Sequence, residues 1–110
     1  MSDFLRNEIM RFLRDCRGRD KAIPRSELLC HLRRHRPYLS DREMRAIYSS
    51  LPIASSPEGL FIPKSSQEVL DFSAYIEKAH GPIWAARRRE IIYSYYPELR
   101  PLAQVQKELF

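Results

Sequence analysis

Cysteine is nearly absent from this chain. Two thiols, Cys16 and Cys30, in 110 residues allow one bridge at most, which excludes a disulfide-stapled scaffold, and a reducing compartment leaves both as thiols. Long apolar runs are lacking too. None approaches the roughly 20 residues that cross a bilayer, and Arg6, Glu8, Arg11, Arg14 and Asp15 interrupt the N-terminal stretch that a signal peptide needs. No membrane partner is therefore expected, and a cytoplasmic protein is. With only three glycines, the chain has no collagen-like or low-complexity composition.

Catalytic signatures are missing in the same way. A nucleophile needs a base and an orienting group, yet no Gly-x-Ser-x-Gly, phosphate-binding loop or His-Glu-x-x-His occurs. The chain reads as a binder rather than an enzyme, with no cofactor and no small-molecule substrate expected. Metal ligands come closest to a pattern, because Cys16, Cys30, His31 and His35 lie in one segment and the histidines have four-residue spacing. No Cys-x-x-Cys accompanies them, and Cys30 points away from the leucine face toward which Cys16 turns, so no closed tetrahedral site is expected. Cys16 reads as a buried thiol and the histidines as polar surface groups.

What the chain does have is arginine. Fifteen of its nineteen basic residues are Arg and the net charge is +5, a bias that suits planar, bidentate contacts to phosphate or carboxylate. The charge is uneven: residues 1–50 carry twelve basic against seven acidic groups, and residues 51–82 two against four. At 110 residues with 44% hydrophobic content, one soluble domain with a single core is expected.

Along the chain, a first helix is predicted from Ser2 or Asp3 to about Cys16, burying Leu5, Ile9, Phe12, Leu13 and Cys16 and ending at Gly18. Ala22 and Ile23 form a two-residue extended piece able to pair with a later hairpin. A second helix covers residues 25–34, with Pro24 near its first position and Leu28, Leu29 and Leu32 inward. The third, residues 40–51, has the clearest start: Ser40 and Glu43 form a capping box, Leu39 and Met44 have the spacing of a hydrophobic staple, and Pro37 disfavours helix before it. Its inner face is Met44, Ile47, Tyr48 and Leu51. Its outer face is Arg42, Ala46 and Ser49, with Arg45 on the flank.

Two short strands, residues 53–55 and 60–64, follow around a turn closed by Pro57 and Gly59, with Leu60 and Ile62 on the core face and Phe61 opposite. A helix capped by Ser65 or Ser66 then buries Val69, Phe72, Ile76, Ala79 and Ile83. Gly81-Pro82 reads as a helix end followed by a new start, or as a kink in one helix. Residues 83–96 are helical, with Trp84, Ile91, Ile92 and Tyr95 toward one side and Arg87, Arg88 and Arg89 as a second candidate contact surface. Three adjacent arginines point in three directions on a helix. Leu102, Val105 and Leu109 predict a short amphipathic helix in the tail.

The resulting fold class is mainly α with a small β-hairpin. The order helix, short strand, helix, turn, helix, two-stranded wing, helix, together with Pro57-Glu58-Gly59-Leu60-Phe61-Ile62-Pro63-Lys64 leading into Ser65-Ser66-Gln67-Glu68-Val69, resembles small phage or prophage winged helix-turn-helix proteins. The likeness covers roughly residues 3–92; Gly81-Pro82 and the tail after Tyr96 depart from it. It divides the chain into a winged helix-turn-helix domain over residues 1–82 and a helical extension over residues 83–110, through which a homodimer is expected. It also implies double-stranded DNA as the partner, bound by a transcriptional regulator or replication accessory. Arg42, Arg45 and Ser49 would read bases, and Arg33, Arg34, Arg36, Tyr38, Ser40 and Lys64 would contact phosphates. The acidic tip at Glu58 speaks against a groove-entering wing. The competing expectation is a protein-interaction adaptor that engages a partner through Trp84 and Tyr95.

Overall fold

A computed structural model describes residues 2–101 of the chain. Five helices and a two-stranded antiparallel sheet make up the described part: α1 (Ser2–Phe12), α2 (Arg25–Leu32), α3 (Asp41–Tyr48), β1 (Ala54–Ser56), β2 (Gly59–Phe61), α4 (Ser66–His80) and α5 (Pro82–Tyr95), with 3-10 turns at Arg19–Lys21 and Pro97–Leu99. The fold is thus mainly α with a small β-hairpin, as the sequence predicts. The amphipathic tail expected over residues 102–110 lies outside the described residues.

Two hydrophobic cores lie on opposite sides of the hairpin. One gathers Leu5, Ile9 and Leu13 from the first helical segment, Leu28 and Leu32 from α2, Met44 and Tyr48 from α3, and Leu60 and Ile62. The other gathers Phe61 with Val69, Phe72 and Ile76 from α4, and Ala85, Ile92 and Tyr93 from α5. Alternation along a strand sends neighbouring side chains to opposite faces, so three consecutive residues, Leu60, Phe61 and Ile62, feed both cores. Packing also runs across Gly81-Pro82, because α5 supplies part of the same core as α4.

The hairpin pairs Ala54 with Phe61, Ser55 with Leu60 and Ser56 with Gly59, leaving Pro57 and Glu58 as its loop. β1 lies one residue further along than the predicted 53–55, and β2 starts one residue earlier and ends three residues earlier than the predicted 60–64. The expected third extended piece exists as a single bridge: Ile23 N donates to Leu60 O at 3.0 Å and Leu60 N to Ile23 O at 2.7 Å. A second bridge forms where Ile62 N donates to Cys16 O and Gly18 N to Ile62 O, both at 2.8 Å. These bonds explain why α1 stops at Phe12 rather than near Cys16. The chain unwinds there so that residues 16–18 can pair with the strand side, and Gly18, at φ 100°, serves that pairing rather than capping the helix.

Two predicted buried stripes are corrected. Ile83 is exposed at 81% because Gly81 at φ 94° reverses the chain after α4, and Ala79, in the last turn of α4, is exposed too, so the stripe ends at Ile76. The alternative of one kinked helix gives way to an antiparallel pair, in which Arg89 Nη1 donates to Ser73 Oγ at 2.8 Å across the corner. In α5 the inward residues are Ala85, Ile92 and Tyr93, whereas Trp84 and Tyr95 face outward. Among the described residues, no helix is long and apolar enough to cross a membrane.

Candidate nucleic-acid interface

The position of α3 is set at its start and along its inner face. Ser40 Oγ accepts from Glu43 N at 3.1 Å, and Glu43 Oε1 accepts from Ser40 N at 3.2 Å, completing the capping box. Hydrogen bonding to the Ser40 side chain and then to its backbone holds the Glu43 carboxyl below its ordinary range. Leu39 and Met44 are both buried in the first core, and Arg33 Nε donates to Leu39 O at 2.9 Å, so the end of α2 pins the turn into α3. Met44, Tyr48 and Leu51 are buried and Ile47 packs against them.

Fixing that side presents the other. Arg42, Arg45 and Ala46 are exposed and Ser49 is half-exposed, with Ser49 Oγ donating to Ala46 O at 3.0 Å. Asp41 sits between two arginines: Arg45 Nε lies 2.7 Å from its Oδ2 and Arg25 Nε 2.9 Å from its Oδ1. One carboxylate against two guanidiniums leaves this face basic. Arg34 and Arg42 make no side-chain hydrogen bond or ion pair among the described residues, and Tyr38, 97% exposed, projects from the turn ahead of α3. Arg36 is half-buried in that turn, and its carbonyl accepts from Leu39 N at 3.0 Å.

Several residues assigned to phosphate contact already have work inside the fold. Arg33 and Ser40 hold the α2–α3 turn, as described. Lys64 Nζ lies 3.3 Å from Asp20 Oδ1, and the resulting hydrogen bond, with Lys64's charge, keeps the Asp20 carboxyl below its ordinary range. At the hairpin tip, Arg19 Nη2 lies 3.3 Å from Glu58 Oε2, which offsets the acidic loop. The run Arg87 to Arg89 divides in three. Arg87 covers the Trp84 ring at 5.4 Å, and Arg89 bonds Ser73. Arg88 reaches inward, its Nη2 donating to Ile53 O at 3.0 Å, its guanidinium over Phe72 and its Nε buried without a partner among the described residues. Burial lowers the Arg88 pKa below the ordinary guanidinium value.

A cleft of about 490 Å³ opens between the outer face of α3 and the corner of α4 and α5, lined among others by Arg25, Arg45, Ser49, Tyr75, Trp84 and Arg88. No family model, curated protein or solved structure matches the chain. Sequence reasoning missed Arg25 and Tyr75 as neighbours of α3, because nothing local in either stretch marks a partner far along the chain. The Asp41–Arg45 spacing was the one available sign that Arg45 would be held rather than free.

Proposed function

We propose that the chain binds double-stranded DNA as a winged helix, with α3 in the major groove and the β1–β2 hairpin as a short wing beside the backbone, in a cytoplasmic regulator or replication accessory. The observation that carries this reading is the orientation of α3. Its apolar side is locked into the core, Arg42, Arg45 and Ala46 are exposed on the other side, and Arg34 and Tyr38 are exposed in the turn that leads into the helix. A major groove about 12 Å wide admits a helix whose outward residues are short enough for close approach, and arginine forks onto guanine or phosphate. With Asp41 also held by Arg25, Arg45 can leave it without exposing an unpaired carboxylate. Base reading falls to Arg42 and Arg45, and phosphate contact to Arg34, Arg36 and Tyr38.

The test is binding to random duplex DNA at two salt concentrations. Log affinity is expected to fall with log salt at about −0.9 per neutralised phosphate, and Arg42→Ala with Arg45→Ala is expected to abolish sequence preference. Preference that survives both substitutions ends the assignment.

A second reading rests on a separate observation: Ile83 and Trp84 (52% exposed) stand with Tyr75 at the corner of α4 and α5. An adaptor, or a homodimer, would use this corner. Tyr95 lies at the far end of α5, about 16 Å away at 1.5 Å per residue, so a partner reaching both Trp84 and Tyr95 must lie along the helix. The adaptor predicts no DNA affinity above background and a complex lost on Ile83→Ser.

A further inference from the structure

Away from that face, α1 and α2 bring together three side chains that the proposed function leaves unused. Glu8 lies on α1, His31 in the last turn of α2, and His35 one turn further along the chain. Their potential ligand atoms all lie within 4.8 Å of one another. Glu8 Oε2 is 3.1 Å from His31 Nε2 and 3.5 Å from His35 Nε2. Ligands around a tetrahedral zinc ion, with bonds of about 2.0–2.1 Å, stand about 3.3 Å apart. The two nitrogen–oxygen edges therefore bracket the required length, by about 0.2 Å each, and the edge between the histidines, at no more than 4.8 Å, closes on an ion by a rotation of the exposed His35 ring.

The surroundings hold this arrangement in place. Phe12 stacks on His31 with ring centroids 4.4 Å apart and planes at 20°, and Phe4 meets His35 edge-on at 5.2 Å and 78°. Arg11 Nη1 lies 3.5 Å from the other Glu8 oxygen, which keeps Oε2 turned to the imidazoles. The Glu8 side chain is only 13% accessible, while His35 remains open at 40%. An ion could thus reach the cluster through the cleft of about 450 Å³ that these groups line with Arg11, Phe12 and Arg14.

We propose that Glu8, His31 and His35 form a three-ligand site for a divalent transition cation of the zinc type, with water in the fourth position. Two imidazoles and one carboxylate suit zinc and disfavour calcium or magnesium, which take oxygen ligands. The ligand set differs from the one the spacing of Cys16 and Cys30 brings to mind. Both cysteines are free, Cys30 on the surface, and the third ligand comes from a helix 23 residues earlier than His31. Occupancy would clamp α1 to the end of α2, a helix whose N-cap makes no side-chain hydrogen bond. The inference stands apart from DNA binding and survives its failure.

The full chain is titrated with zinc chloride by calorimetry at neutral pH, and with cobalt(II) as a spectroscopic probe. One equivalent is expected to bind saturably, with a visible cobalt spectrum of tetrahedral intensity and no thiolate charge-transfer band, and zinc is expected to raise the thermal midpoint. His35→Gln and Glu8→Gln are each expected to weaken binding by at least about tenfold, with unchanged far-UV circular dichroism. His80→Gln and Cys30→Ser are expected to bind like the parent. No saturable binding, affinity untouched by His35→Gln, or loss of binding in Cys30→Ser overturns the site.

Discussion

Replacing Gly59 by alanine puts a methyl group where backbone already stands. A Cβ there would lie 1.9 Å from Ile23 O, 2.4 Å from Ile23 C and 2.9 Å from Pro24 N, at a φ of +132°. None of those atoms can rotate away, so relief requires the segment around Ile23 to lift off β2, breaking the two Ile23–Leu60 backbone bonds. The backbone conformation costs about 1–3 kcal/mol, and the two bonds about 0.5–1.5 kcal/mol each. The expected loss is about 2–6 kcal/mol, a large share of a stability of order 5–15 kcal/mol. Gly81→Ala is the control: its φ is +94° but nothing lies within 4 Å of its Cβ position, so only the conformational part, about 1–3 kcal/mol, applies. Urea unfolding followed by far-UV circular dichroism gives both numbers. If Gly81→Ala proves as costly as Gly59→Ala, the reasoning that the hairpin is fastened through Ile23 is refuted.

Arg42→Ala and Arg45→Ala are each expected to cost about 1–3 kcal/mol against the preferred duplex and little against mismatched DNA, measured by fluorescence anisotropy. Ser40→Ala is expected to cost about 0.5–2 kcal/mol in chemical denaturation through loss of the α3 cap. Glu43 has a folded pKa below its ordinary 4.5, so its contribution is present above that value and lost as pH falls through the depressed one. Acid titration of Glu43→Gln should therefore show a smaller fall in stability than the parent. Arg88→Met is expected to stay within about 1 kcal/mol of the parent, since the lost bond to Ile53 O is offset by removing a desolvated charge. Arg88→Ala, which also deletes a packed stem, should unfold at distinctly lower urea.

Local signals were legible where local physics decides. The start of α3 carried a cap, a staple and a proline, all acting within a few residues, and each is present. The alternation of Leu60, Phe61 and Ile62 predicted two faces correctly because a strand has no other way to orient them. Ile83 was misassigned because a helical stripe was extended past Gly81, where the direction of the chain changes and the period restarts; Ala79, in the last turn of α4, lines the open cleft instead of the core. Arg33, Arg88 and Lys64 looked like surface charge; their partners, Leu39 O, Ile53 O and Asp20, are fixed by the tertiary fold, and a long side chain can bury its stem in either direction. The meeting of Glu8 with His31 and His35 was hidden for the same reason, since spacing shows a pair on one helix but not what a neighbouring helix sets opposite it.

The strand β2 with Ile62 belongs to both halves of the molecule at once. Removing the last two helices would strand Phe61 in water, and removing the first three would do the same to Leu60 and Ile62. The ribbon is therefore shared between the two interiors, and peeling it away would expose apolar side chains of both.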